Sequence, residues 1–117
     1  MLQTWVERIR SNDANKVADL YHEEGLLLGT FSNTERIGYT LILDYFNNLL
    51  KSKVDVEIIT KHVYKTESIA TASGLYNFIL NDEKIEARYS FVFFKIEKKW
   101  RILSHHSSVL PEKTNST

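Results

Sequence analysis

A chain of 117 residues with 43% apolar and 26% charged residues can bury one hydrophobic core, and is too ordinary in composition for a coiled coil or a disordered segment. Fifteen basic residues offset fifteen acidic ones without any basic cluster interleaved with aromatics, which argues against nucleic acid as a partner. The absence of cysteine excludes disulfides, thiolate metal sites and thiol nucleophiles, and fits a reducing compartment.

Residues 1–10 carry Glu7 and no continuous apolar run, so they read as neither a signal peptide nor a membrane span; a cytoplasmic location is expected. Within them Leu2, Trp5, Val6 and Ile9 recur at i, i+3, i+4 and i+7 and predict a short amphipathic helix. Asp13 is placed to cap a second helix by accepting from free backbone amides. Val17, Leu20 and Tyr21 share that helix's buried face, and Gly25 marks its end. Leu26, Leu27 and Leu28 before Gly29 read as a short buried strand, and the polar run 32–36 as an exposed connection. A third helix keeps Ile42, Tyr45, Phe46 and Leu49 on one side and Asp44, Asn47 and Asn48 on the other.

From Val54 the period changes to two, with Val54, Val56 and Ile58 alternating with Asp55 and Glu57 as in a half-buried strand. Three further strands are expected over 69–80, 85–96 and 100–109, joined by turns at Asn81, Asp82 and Glu83 and at Glu97, Lys98 and Lys99. Such short turns imply antiparallel neighbours. Gly74, in mid-strand, suits a bulge or bend that curves the sheet. Phe91, Val92, Phe93 and Phe94 are consecutive, so this strand presents large apolar groups to both faces. Three short helices cover one face, and a second copy of the chain covering the other is the economical expectation: a homodimer or higher oligomer. Residues 1–110 read as one domain and 111–117 as a polar tail.

Chemistry concentrates at the end of the last strand. Strict alternation puts Trp100, Ile102, Ser104, His106 and Ser108 on one face, and Arg101, Leu103, His105 and Ser107 on the other. Adjacent histidines that point apart cannot chelate one ion from the same face, so no metal site and no cofactor are expected. Ser107 and Ser108 lack the strand-to-helix elbow of a nucleophile. His105 or His106 is either a general acid-base in a partly dry pocket or a hydrogen-bonding packing residue. Arg88, beside Tyr89 on the third long strand, either holds a substrate carboxylate or pairs with Glu57, Glu86 or a residue across a dimer interface. Tyr21, Tyr45, Tyr76 and Tyr89 supply aromatic surface with polar tips, as amphipathic ligand cavities often do.

The order helix, helix, short strand, helix and four long strands resembles the nuclear transport factor 2-like superfamily. Gly38 with the run 44–50 (Asp-Tyr-Phe-Asn-Asn-Leu-Leu), then Lys99 and Trp100, then His106 with Ser108 and Pro111, are similar to the association (hub) domain of calcium/calmodulin-dependent protein kinase II. The segments 87–92 and 105–111 resemble more closely the small stand-alone bacterial relatives of that hub. The resemblance implies an α+β fold, a cone-shaped cystatin-like roll with three N-terminal helices packed on a curved antiparallel sheet. It also implies self-association through the sheet and a deep pocket. Positions supplying arginines to the hub pocket fall near Tyr76, Phe91 and Ser107, which leaves Arg88 and Arg101 as available cations, while His62 matches a hub pocket histidine. Other superfamily members are isomerases, dehydratases and cyclases that use an aspartate with a tyrosine or histidine, and no aspartate sits in mid-strand here.

Two functions follow as expectations. One is a self-associating domain that binds a small, partly apolar molecule in a pocket of Tyr21, Tyr45, His62, Tyr76, Arg88 and Ser107. The other is a small enzyme of the cyclase, isomerase or dehydratase type with His105 or His106 as acid-base; it requires a buried histidine facing an open cavity. A cavity already filled by side chains would instead mark a structural adaptor.

Overall fold

The amphipathic stripe of the first ten residues forms the helix it predicts. In the computed structural model, which describes residues 1–112, α1 (Leu2–Arg10) buries Leu2, Trp5, Val6 and Ile9. The polar tail expected over 111–117 lies outside the described residues from Lys113 onward. Asn12 turns the chain with a positive φ of 61° and ties the turn down by donating to the carbonyl of Leu50 (2.8 Å). Asp13 then caps α2 (Ala14–Ala18), accepting from the amides of Asn15 and Lys16.

That second helix is shorter than its periodicity suggests. It stops at Ala18, and residues expected to finish it belong to a strand, β1 (Tyr21–Leu28). Tertiary pairing overrides the helical spacing of Val17, Leu20 and Tyr21: the amide of Ile102 donates to the carbonyl of Leu20 (2.8 Å), and Tyr21 pairs with Ile102. Gly25 is not a helix end but the site of a register shift in β1, where a Cβ would lie 2.9 Å from the carbonyl oxygen of His22. After a two-residue strand, β2 (Arg36–Ile37), α3 (Tyr39–Leu49) buries Ile42, Tyr45 and Phe46 as expected.

Five strands complete the sheet: β3 (Val54–Ile58), β4 (His62–Lys65), β5 (Ile69–Leu80), β6 (Glu83–Ile96) and β7 (Lys99–Val109). Among the described residues the order is β2-β1-β7-β6-β5-β3, with β4 also pairing β5. The sheet is mixed rather than wholly antiparallel, because β1 and β7 run parallel. The two hairpins that join β5 to β6 and β6 to β7 turn on two residues each, Asn81 with Asp82 and Glu97 with Lys98, all at positive φ. That is the primed turn geometry whose twist matches antiparallel strands.

Two irregularities set which residues face inward. Between β6 and β7 the register jumps from Val92↔Ser104 to Phe93↔Ile102, so Leu103 is an extra, bulged residue. Strict alternation therefore fails at that point. Ile102, His105 and Ser107 all face inward, whereas the alternation had grouped His105 with Arg101 and Leu103. Gly74, by contrast, carries no bulge; the β5–β6 register runs unbroken from Ile69↔Phe94 to Leu80↔Glu83. A Cβ on Gly74 would stand 2.3 Å from the carbonyl oxygen of Thr60. There the connection from β3 to β4 crosses β5, with the amides of Ile59 and Thr60 donating to Leu75 O and Leu75 N donating to Thr60 Oγ1. The glycine is needed for close approach of backbone to backbone.

The inner face presents Ala70, Ala72, Tyr76 and Phe78 from β5, Ala87, Tyr89, Phe91 and Phe93 from β6, and Ile102 and His105 from β7. Trp5 of α1 and Phe46 of α3 pack onto it. The opposite face carries the cross-strand pairs Ile69↔Phe94 and Thr71↔Val92, none of them fully buried. No helix among the described residues is long and apolar enough to cross a membrane.

Candidate functional site

Trp5 on α1, Tyr21 at the start of β1, Tyr76 in the middle of β5, and His105 and Ser107 on β7 converge inside the roll. Each comes from an inward position of its element. His105 is 2% exposed. Its ring stacks on Phe91 at 3.9 Å between centroids and meets the edge of Trp5 at 5.2 Å.

The polar atoms of this group form one continuous string. Trp5 Nε1 donates to Tyr21 Oη (3.2 Å), Tyr21 Oη lies 2.7 Å from His105 Nδ1, and Tyr76 Oη lies 3.2 Å from His105 Nε2. Tyr76 Oη also reaches Ser107 Oγ, which in turn reaches Thr30 Oγ1. The direction of the string is set at the Tyr21 hydroxyl, which accepts from an indole N–H that can only donate and must give its own hydrogen to an acceptor. Were His105 to donate from Nδ1 as well, the Tyr21 hydroxyl hydrogen would be buried without an acceptor, at a cost of about 1–3 kcal/mol. The imidazole therefore carries its hydrogen on Nε2. Tyr21 donates to Nδ1, Nε2 donates to Tyr76, Tyr76 donates to Ser107, and Ser107 donates to Thr30. Every member from Tyr21 to Ser107 both gives and accepts, which is how a buried polar network avoids a desolvation penalty.

All of these groups are neutral near pH 7. Burial pushes His105 down to about 3, with the neighbouring His106 adding to the effect. Burial pushes Tyr21 and Tyr76 up, outweighing the hydrogen bonds that Tyr21 accepts from Trp5 and Tyr76 makes with Ser107. Tyr45, pushed up to about 12 by burial, accepts from the amide of Phe31 (3.3 Å). Beside it Arg36 pairs with Asp44 at 2.9 Å and lies 5.9 Å from the Tyr45 ring centroid, with its Nε buried and unpartnered.

Of the residues singled out in the sequence, Tyr21, Tyr45, Tyr76, His105 and Ser107 thus belong to one interior. His62, Arg88 and His106 do not. His62 stands exposed on β4, opposite Ser73. Arg88 lies on the outer face between Leu75 and Ser108, exposed to solvent, because its even-numbered position on β6 alternates with the inward Tyr89. His106 is exposed and borders a cleft of about 190 Å³ with Leu28, Gly29, Thr34 and Ser107. The two histidines do point apart, although the bulge at Leu103 changes which residues accompany each. Among the described residues no three His, Cys, Asp or Glu side chains are grouped as a metal would require.

The sequence alone gave Trp5 only a place in a core stripe and passed over Thr30 and Phe31. The signal for these two was Gly29: a Cβ there would fall 2.5 Å from the Tyr45 ring, so this turn lies directly on the helix residue. Chemically, the centre is solid. Trp5, Tyr76 and Phe91 are each no more than 1% exposed and His105 has both nitrogens engaged. A group that takes a proton only at about pH 3 is poorly matched to acid-base work near neutrality.

The SnoaL-like domain family matches residues 1–112. A structure from Xanthomonas campestris, described provisionally as a calcium/calmodulin-dependent protein kinase II association domain, is 37% identical. The alignment covers 96% of this chain and 84% of that one, with a TM-score of 0.90. A nuclear transport factor 2-like protein of unknown function from Pseudomonas putida superposes with a TM-score of 0.84 at 13% identity, covering 98% and 84% of the two chains. A protein from Streptomyces avermitilis described provisionally as a dehydratase of the same fold family does so with a TM-score of 0.84 at 13% identity, covering 94% and 91%. The two latter likenesses concern the fold alone. No curated protein matches the chain.

Proposed function

The chain belongs to the SnoaL-like domain family, and from that premise and the packing above we propose that it is a self-associating domain, not an enzyme, which pairs with a second copy through the outer face of its sheet and takes a small, partly apolar molecule at the open end of the cone. The observation that carries this reading is the contrast between the two faces. On the inside, His105, Tyr76 and Phe91 are packed to exclusion of water. On the outside, Phe94 opposite Ile69, and Val92 between Thr71 and Ser104, form a partly apolar strip that no helix covers among the described residues. Ile69 is 44% exposed and Tyr64, on the neighbouring edge strand, 70%. An apolar patch of this kind on an uncovered sheet face is what a like surface buries in an isologous dimer.

Size-exclusion chromatography with light scattering tests it. At about 10 μM, a concentration at which a dimer held by −8 kcal/mol or more is largely assembled, the wild-type chain elutes as a dimer or larger. Phe94→Glu, which puts a charge in the strip without touching the inner face, elutes as a monomer with an unchanged circular dichroism spectrum. A wild-type chain that scatters as a monomer overturns the reading. So does a Phe94→Glu variant that assembles as the wild type does.

A further inference from the structure

We propose that the mouth of the cone binds a small, neutral aromatic compound bearing an acceptor oxygen, and that Thr30 and Phe31 occupy the site as a built-in stand-in for it. This rests on the small-molecule half of the reading above and names its chemistry.

Residues 29–35 connect β1 to β2 at the Ser107 end of the buried string. Two of them touch the residues of the interior. Thr30 places its hydroxyl on Ser107 Oγ at the end of the buried string. Phe31 sets its ring edge-on against Phe78 at 5.3 Å while its amide donates to Tyr45 Oη. Yet Phe31 remains 39% exposed. The segment is a thin wall: one side is a cleft of about 310 Å³ bordered by Phe31, Arg36, Tyr45 and Leu80, the other the cleft of about 190 Å³ bordered by Gly29, His106 and Ser107. Ser32 borders both. Lifting Thr30 and Phe31 breaks one side-chain hydrogen bond and one long backbone bond and joins the two spaces, giving a volume in the range of ligand pockets, about 300–1,000 Å³.

What the two residues do there specifies their replacement. Since the string runs from Trp5 towards Thr30, Ser107 offers a hydrogen to whatever takes Thr30's place, so the ligand must bring an acceptor oxygen, a hydroxyl or a carbonyl. The edge of Phe78 calls for an aromatic ring. Neutrality follows from the balance of charge around the two clefts. The Arg36 charge is offset by Asp44 through Nη1, its unpartnered Nε being buried, while Glu35 borders the smaller cleft and the groups at the end of the string are hydroxyls.

Benzyl alcohol, with toluene as the analogue that lacks the oxygen, is the probe. In titrations followed by nuclear magnetic resonance, Phe31→Ala binds benzyl alcohol at least about tenfold more tightly than the wild type, because it no longer has to displace its own ring, and prefers it to toluene. The shifts fall on Ser107, Phe78 and Tyr45. Equal affinity in wild type and variant, no preference over toluene, or shifts confined elsewhere overturns the proposal. A second measurement needs no variant. In the wild-type chain, benzyl alcohol accelerates hydrogen exchange of the Phe31 amide as the loop is displaced, and an unchanged rate at saturation overturns it equally. Phe94→Glu binds the probe as the wild type does, so failure of self-association and failure of the mouth site are read separately.

Discussion

The neutral histidine at the centre of the roll makes stability depend on pH in a definite way. His105 is depressed in the folded chain from its ordinary 6.5 to about 3. Between those values the unfolded chain binds a proton at this site and the folded chain does not, so the stability it permits is complete above about pH 6.5 and is lost as pH falls towards 3. One such proton changes the unfolding free energy by about 1.4 kcal/mol per pH unit. Going from pH 7 to pH 4.5 therefore removes roughly 3 kcal/mol, a large share of the 5–15 kcal/mol typical of a domain. Urea unfolding at constant ionic strength, at half-unit steps across that interval, measures it in the wild type and in His105→Gln, which cannot titrate. The other histidines are common to both chains and cancel. The expected result is a wild-type curve steeper by about 1.2 kcal/mol per unit on average between pH 4.5 and 6. Parallel curves refute the reasoning, as does an imidazole resonance of His105 that titrates near its ordinary value in the folded protein.

Gly74→Ala forces a Cβ to within 2.3 Å of the Thr60 carbonyl oxygen, a backbone atom that cannot rotate away, and is expected to cost about 2–3 kcal/mol in chemical denaturation. A loss below about 0.5 kcal/mol would show that the crossing segment gives way freely. Trp5→Phe removes one hydrogen bond to Tyr21 Oη and is expected to cost about 1–3 kcal/mol, while His105 keeps its Nε2–H tautomer, because Nδ1 is still the acceptor that the Tyr21 hydroxyl needs; long-range nitrogen correlations read the tautomer. A variant whose His105 becomes a mixture of tautomers would show that the indole, and not the Tyr21 hydroxyl, sets the direction.

How much of this was legible in the sequence depended on whether local period and tertiary pairing agreed. The stripe of α1, the Asp13 cap, the buried side of α3 and the alternation of β3 are local signals, and all survive into the structure. The residues from Val17 to Tyr21 carry a local helical spacing that loses to the sheet, because parallel pairing of β1 with β7 uses the backbone of Leu20 and Tyr21. No pattern within β1 announces a partner some eighty residues away. The exposed strand β4 has no buried positions to alternate, so period gives it no signal. The bulge at Leu103 is a count of residues across two strands and is invisible in either alone. At the site, tyrosine and histidine types pointed to an amphipathic interior and five of those singled out are there, whereas His62 and Arg88 depended on resemblance and on a wish for a buried cation.

That last failure bears on what the interior is for. By the resemblance, the positions that supply arginines to the hub pocket fall near Tyr76, Phe91 and Ser107. Arginines inside a cone must be kept in water or matched with anions, since an unpaired buried charge costs several kcal/mol. The interior of this chain needs neither. Phe91 gives His105 a face to stack on, and Tyr76 and Ser107 carry hydrogen bonds from the imidazole to the rim, all without net charge. A pocket centred on cations selects anions and stays wet; a string of neutral donors with a fixed direction can be dry throughout and acts only at its free end. In this chain that end is Ser107 facing Thr30, which is where the proposed recognition falls, and the histidine that looked most like a catalyst is the residue that keeps the string aligned.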